Sequence, residues 1–326
     1  MVTQRFFDTA AIKYLEAAGC EVVIAELPPG EADGNLSEDA LIGMLDGAAG
    51  WIVGHARVTR ALMTALPELR IVSRRGVGYD RVDLAAARDL GKVVCIAAGG
   101  NNASVADHTL ALMLAVGHRF RETQSRMIAG DWSILMGSDL FGKTVGIVGL
   151  GRIGRSLVQR LRGFEVRILA VAPHSDPDYA TANGIDYVDL DSVLAESDYI
   201  SLHAPLTADT RFLIGAAALA RMKPGAILIN TARGGLVDDR ALLDALNAKT
   251  IAGAGLDTFV SESDPAYLEV TQALLELPNV IATPHAAASS REGLDRTNMV
   301  AAQCVVAALD GRDPPAQCVV ADGRRA

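Results

Sequence analysis

KTVGIVGLGRIG, residues 143–154, decides the fold. A short apolar strand, Val145 to Val148, runs into Gly149-x-Gly151-x-x-Gly154 and then a helical segment, SLVQRLRG. Strand, glycine turn and helix in that order are what a dinucleotide pyrophosphate requires. Gly149 allows the tight turn, Gly151 lets phosphate approach the backbone, and Gly154 lets the helix pack on the strand. The helix N-terminus adds free N–H groups and a positive dipole end. GxGxxG alone is weak evidence; its place between strand and helix makes it specific.

A length of 326 residues suits two domains. Half the chain is apolar and a fifth charged, as in a well-packed globular protein. The longest uncharged apolar runs, such as TLALMLAVG (109–117), fall far short of the roughly 20 residues of a bilayer span. The start, MVTQRFFDTAAIKYLEAAG, has no basic region followed by an apolar core, so no signal peptide is expected. A net charge of -9 argues against nucleic acid as a partner. Cys20, Cys95, Cys304 and Cys318 form no CxxC pair. They read as small buried hydrophobes in a reducing, cytoplasmic compartment, with no metal site.

Residues 1 to about 100 alternate strands (21–26, 50–54, 70–73, 92–97) with helices (9–19, 37–47, 59–69, 82–91). That alternation predicts a parallel sheet covered on both faces. The segment before the first helix is so short that a first strand must be very short or missing. A long helix is expected over 104–130, with Ser104 as N-cap and Asp107 at the capping-box position. From 143 a second series begins, with strands at 144–148, 166–171, 198–203, 225–230, 250–257 and 280–285. Six strands match a complete dinucleotide-binding sheet. A last helix, 289–311, is free to return to the first domain. The expected architecture is two α/β domains with a cleft between them: residues 1–98 with 287–326, and residues 99–286.

Ligands of open α/β sheets bind at the C-terminal strand ends. Three such ends in the second series carry reactive side chains: Arg233 in MKPGAILINTARGG, Asp257 and Glu262 in AGLDTFVSESDP, and His285 in IATPHAAASS. Taken singly, each has a bland reading as a loop arginine, a surface acid or a helix-entry histidine. Together they would present Arg, Glu and His toward the same place as the pyrophosphate turn.

KPGAILINTARGGLVDDRAL resembles the signature of the D-2-hydroxyacid dehydrogenase family. RIVSRRGVGYDRVDLAAA (70–87), GKTVGIVGLGRIG (142–154) and AGLDTF also look like that family, so the similarity covers nearly the whole chain. The resemblance implies a Rossmann dinucleotide-binding domain and a flavodoxin-like α/β substrate domain. It implies an NAD(P)-dependent oxidoreductase moving hydride between nicotinamide and a small D-2-hydroxy or 2-oxo acid. The family's catalytic arginine, glutamate and histidine fall on Arg233, Glu262 and His285. A guanidinium suits the substrate carboxylate and the negative charge that builds on the carbonyl oxygen. A histidine suits proton delivery near neutral pH, and a carboxylate on its other nitrogen fixes the tautomer.

The resemblance also assigns binding residues. Gly149, Gly151, Arg152, Ile153 and Gly154 hold the cofactor phosphates. His203, Ala204 and Pro205 line the adenine pocket, and Asp257 approaches the nicotinamide amide, or else serves as a structural carboxylate capping nearby backbone N–H groups. Thr109, Thr231 and Ala232 complete the cofactor set. The backbone of Val77 and Gly78 holds the substrate carboxylate, Asn101 faces the cleft, and His55 and Arg57 read the far end of the substrate. The region 104–142, with Trp132, Ile134, Leu135 and Met136, matches the family's two-fold contact and implies a homodimer.

One departure concerns the cofactor. NAD-specific members end the second strand with an acid on the ribose hydroxyls. Ala172 stands there, followed by His174 and Ser175, with Asp176 and Asp178 close by and no arginine. NAD(H) is expected on the family's usual habit, with NADP permitted. The expected substrates are of the glyoxylate and hydroxypyruvate kind, with D-3-phosphoglycerate as the alternative. Formate oxidation is disfavoured, because such members carry glutamine where Glu262 stands. A dinucleotide-sensing corepressor is the non-enzymatic alternative; the chain has no long polar extension for docking partners.

Overall fold

The computed structural model describes residues 1–4, 6–28 and 32–325. Two compact units make up the chain: Met1–Asn101 with Ala288–Ala326, and Asn102–Ala287. The first unit begins with helices α1 (Thr9–Ala17), α2 (Glu38–Leu45), α3 (Arg60–Ala65) and α4 (Leu84–Asp89). They alternate with strands β1 (Gly50–Val53), β2 (Ile71–Arg74) and β3 (Val93–Ile96). Ser37, Thr59 and Asp83 cap α2, α3 and α4 by accepting a backbone N–H three residues on, which fixes where each helix starts. The strands pair in parallel and are almost wholly buried, as a sheet with helices on both faces demands.

Residues 21–26 do not form the expected strand. Only Ile24 bridges, to Val2, which also bridges Ile52 of β1, so the first strand is reduced to one residue. Val23 and Ile24 stay nearly half exposed, so burial does not hold this edge extended.

The second unit opens with α5 (Asn102–Gly117) and α6 (Phe120–Ile128). The expected single helix over 104–130 is broken here, because Arg119 takes a left-handed conformation (φ 56°). Ser104 is not the N-cap; it lies buried in the first turn of α5. Asp107 makes no capping box; its carboxylate receives the Arg160 guanidinium. Then follow β4 (Thr144–Val148), α7 (Arg152–Leu161), β5 (Arg167–Val171), α8 (Pro177–Asn183), β6 (Ile185–Tyr187), α9 (Leu190–Glu196) and β7 (Tyr199–Leu202). The series closes with α10 (Ala216–Leu219), β8 (Ile227–Asn230), α11 (Asp239–Asn247), β9 (Gly253–Leu256), α12 (Leu268–Glu276) and β10 (Val280–Ala282). Seven parallel strands order as β10-β9-β8-β7-β4-β5-β6. The sequence pattern missed β6: three residues, only one of them buried, carry too little alternation to read.

The chain returns to the first unit as α13 (Arg291–Leu309) and β11 (Val319–Asp322). Ser290 caps α13, which packs on α1 and on β1, β2 and β3. β11 runs antiparallel beside β3, an edge strand the sequence reading did not include. Cys95, Cys304 and Cys318 are buried together in this core as free thiols, and the neighbouring Cys95 and burial both hold the Cys304 thiol protonated. No helix among the described residues is long and apolar enough to cross a membrane.

Candidate active site

The second sheet reverses its order between β4 and β7: one series steps to β5 and β6, the other to β8, β9 and β10. A crevice at such a reversal is where doubly wound sheets take ligands. Gly149, at the tip of β4, has φ +98°, and a Cβ there would lie 2.6 Å from the Ala204 nitrogen and 2.8 Å from the His203 oxygen. Only glycine fits. A Cβ on Gly151 would meet nothing within 4 Å, and Gly151 caps α7 without a side-chain bond, so no side chain closes the start of α7. Arg152 is exposed, Ile153 half-buried and Gly154 buried against the turn.

His203, Ala204 and Pro205 follow β7. His203 shares a 2.9 Å hydrogen bond between Nε2 and Ser201 Oγ, while its buried Nδ1 has no partner among the described residues. Open space above Gly151, an uncapped helix start and a buried ring nitrogen in want of a partner fit a dinucleotide whose phosphates lie on the turn.

The tips of β8, β9 and β10 stand side by side. After β8, Asn230 clamps the arginine loop: its Oδ1 accepts from Ala232 N (3.1 Å) and its Nδ2 donates to the Arg233 carbonyl (2.8 Å). The Arg233 guanidinium donates to the Ala232 carbonyl at 2.7 Å. After β9, a 3-10 turn, Val260–Glu262, brings Glu262 Oε1 to Phe259 N (2.8 Å). After β10, His285 Nδ1 meets Glu262 Oε2 at 2.7 Å. Because the carboxylate accepts, Nδ1 carries the hydrogen and Nε2 is the nitrogen that exchanges protons.

His285 sits at φ 52°, a left-handed conformation that costs about 1–3 kcal/mol for a side chain of this size. Two bonds from its own N–H hold it there, to the Asp257 carbonyl (2.8 Å) and the Thr283 carbonyl (3.0 Å). Asp257, 1% exposed, accepts from Thr283 Oγ1 (2.5 Å), Ala286 N (2.7 Å) and Ala287 N (2.9 Å). His108 Nε2 lies 2.8 Å from Thr283 Oγ1, whose hydrogen is already given to Asp257, so His108 is the donor. Asp257 thus fixes the loop that presents His285. Thr109, fully buried, donates to the Val105 carbonyl and pairs with Thr231 Oγ1 at 2.9 Å; Ala232 is half-buried beside them.

At the ribose edge, Ala172 is half-buried past the end of β5. The expectation of no arginine here needs correction. Arg155, from α7, donates to Asp176 at 2.7 Å and lies 4.1 Å over the Tyr179 ring. Its helical spacing hid it from a reading of the loop alone.

In the first unit, fully buried Asp33 accepts from Gly54 N (2.7 Å) and His55 N (2.8 Å), fixing the loop that exposes His55 and Arg57. Val77 and Gly78 lie half-buried on the loop after β2, and the buried Oδ1 of Asn101 has no partner among the described residues.

Two buried groups give stability opposite pH slopes. Burial pushes His203 down to about 4 and Asp239 up to about 7. The unfolded histidine binds a proton below about pH 6.5. The His203 contribution is therefore full above about 6.5 and is lost as pH falls toward 4. The Asp239 contribution is full below its unfolded value, about 3.9, and is lost as pH rises through about 7. Between about pH 4 and 6.5 the two slopes cancel. His203→Gln should leave the Asp239 slope bare, losing up to about 1.4 kcal/mol per pH unit as pH rises. Urea unfolding at several pH values checks this, and a slope equal to wild type would refute it.

The family sequence model described as D-isomer specific 2-hydroxyacid dehydrogenase, NAD binding domain, matches residues 110–287. The chain is 41% identical to the D-3-phosphoglycerate dehydrogenase of Mycobacterium tuberculosis over 280 residues, 85% of this chain and 52% of that protein. It is 39% identical over 268 residues to the glyoxylate reductase of Thermococcus litoralis, covering 79% of this chain and 80% of that protein. The crystal structure of D-lactate dehydrogenase from Aquifex aeolicus, complexed with NAD and lactic acid, superposes with a TM-score of 0.82 at 27% identity, over 95% of each chain. The chain spans about half the length of the phosphoglycerate dehydrogenases it matches. Matched over more than half its length by the family's own sequence model, the chain belongs to the D-isomer specific 2-hydroxyacid dehydrogenase family.

Proposed function

We propose that the protein reduces a small 2-oxo acid to the D-2-hydroxy acid, and runs the reverse oxidation, with a nicotinamide dinucleotide. One observation carries this reading: a histidine bonded at 2.7 Å to a glutamate, on strand tips neighbouring the one that presents Arg233. The dinucleotide, when bound, supplies or takes up the hydride. Gly149, Gly151, Arg152, Ile153 and Gly154 would hold its phosphates; His203, Ala204, Pro205, Thr109, Thr231 and Ala232 its other parts. Asp257 holds the His285 loop and approaches the nicotinamide amide.

Arg233 binds the substrate carboxylate and the carbonyl oxygen, stabilising the charge that grows there. His285 delivers a proton from Nε2 to that oxygen; in oxidation neutral His285 takes the hydroxyl proton. Glu262 holds the hydrogen on the other ring nitrogen and so fixes the tautomer. In the first unit, the backbone of Val77 and Gly78 is assigned to the substrate carboxylate, His55 and Arg57 to the far end of the substrate, and Asn101 to the set of substrate-binding residues.

We place glyoxylate and hydroxypyruvate first among substrates. Phosphohydroxypyruvate is the second reading, favoured by the 41% identity to phosphoglycerate dehydrogenases and by Arg57, Arg74 and Arg75 around the loops that follow β1 and β2. NAD(H) is placed before NADP(H). Ala172 leaves the ribose hydroxyls without their acid, and Asp176, though paired with Arg155, weighs against a 2′-phosphate. A homodimer is supported by apolar side chains left exposed in the second unit: Ile128, Trp132, Ile134, Met136 and Phe141. The free cysteines accord with a cytoplasmic location.

A matrix of glyoxylate, hydroxypyruvate and phosphohydroxypyruvate against NADH and NADPH, followed at about 340 nm through the reduced cofactor's absorbance, tests the reading. The expected result is turnover with NADH on the unphosphorylated acids. Cofactor binding without turnover of any acid would favour a dinucleotide sensor.

A further inference from the structure

We propose that Asp239 is a positioning residue for the Glu262–His285 pair, and that its charge governs how firmly His285 keeps its proton. Asp239 opens α11 and is 2% exposed. Its Oδ2 accepts from Val260 N at 2.9 Å, while Glu262 Oε1 accepts from the preceding amide, Phe259 N, at 2.8 Å. Two carboxylates therefore hold consecutive amides of one short turn. The second oxygen of Glu262 is the one bonded to His285 Nδ1. Loss of the Asp239 bond would release the turn that aims Glu262.

The same closeness couples the charges. Burial first, then the nearby charges of Asp238 and Glu262, push Asp239 up to about 7, against the pull of the Val260 N–H. Of the helices packed on α11, α10 has no charged residue and Glu269 and Glu276 of α12 are exposed; the loop before α11 carries Arg233, and Arg211 lies near Gly235. Arg240, next on α11, lies 4.4 Å over the Tyr267 ring. As pH rises through neutrality Asp239 ionises and adds negative charge behind Glu262. Negative charge there favours the protonated imidazole.

This inference rests on reading Glu262 and His285 as the proton-transfer pair, and its test separates the two ideas. Asp239→Asn keeps an acceptor for Val260 N and stays neutral at every pH. In the full-length protein its reductive kcat/KM should match wild type within about twofold on the acid side, where Asp239 is itself protonated. The alkaline limb should move to lower pH by about half a unit. The imidazole NMR signal of His285, assigned with His285→Gln, should shift its titration midpoint the same way without any substrate. A profile lying on the wild-type curve, an equal loss at all pH values, or an unmoved imidazole titration would each overturn the proposal. A shifted imidazole titration with no 2-oxo acid reduced would uphold the coupling and defeat the functional reading.

Discussion

His285→Gln is expected to cut carbonyl reduction by about 10²–10⁴-fold, the usual contribution of a positioned acid–base histidine. Dinucleotide binding should stay within about twofold, because the glycine turn lies at another strand tip. Glutamine retains an N–H group for Glu262 but has no nitrogen that titrates near neutrality. The variant therefore separates proton delivery from loop architecture. Stopped-flow turnover, with cofactor affinity from NADH fluorescence, checks both halves. Near-normal turnover would remove His285 from the chemistry.

The second large effect is expected at Gly234. A Cβ there would stand 2.1 Å from the Phe259 carbonyl carbon, 2.2 Å from its oxygen and 2.6 Å from Val260 N. All three are backbone atoms, so no side chain can swing aside. Gly234→Ala must push apart the arginine loop and the turn that ends in Glu262. Overpacking of this kind costs about 3 kcal/mol, or about 10 °C in Tm for a unit of this size. Turnover should fall about 10²-fold beyond any loss of folded protein, since displacing reacting groups by about 1 Å has that effect. Gly225→Ala, where a Cβ meets nothing within 4 Å, is the control and should change neither quantity. An active Gly234→Ala of normal Tm would show that the two loops need not touch.

The turn at 149–154 was legible because everything that defines it is local: a strand, three glycines and a helix start. Arg233, Glu262 and His285 were legible as strand-end residues, and their grouping came from motif resemblance. Their fixing partners were not. Asn230, His108 and Asp239 look like an ordinary strand end, a helix interior residue and the second of two adjacent acids; only the packing of β8, β9 and β10 and their loops gives them work. The α5–α6 break was hidden for the opposite reason. Arg119 takes a left-handed conformation that its residue type does not advertise, and no proline marks the place. The strands β6 and β11 escaped because so few residues, partly exposed, leave no periodic trace.

All four cysteines belong to the first unit, and three are sealed in its core; the second unit has none. Thiol chemistry is therefore a built-in clock for one half of the molecule. In native protein an alkylating reagent reaches Cys20 alone, the half-buried one. Each further sulfur modified under mild denaturant records an opening of the first unit, whatever the dinucleotide-type unit is doing at that moment.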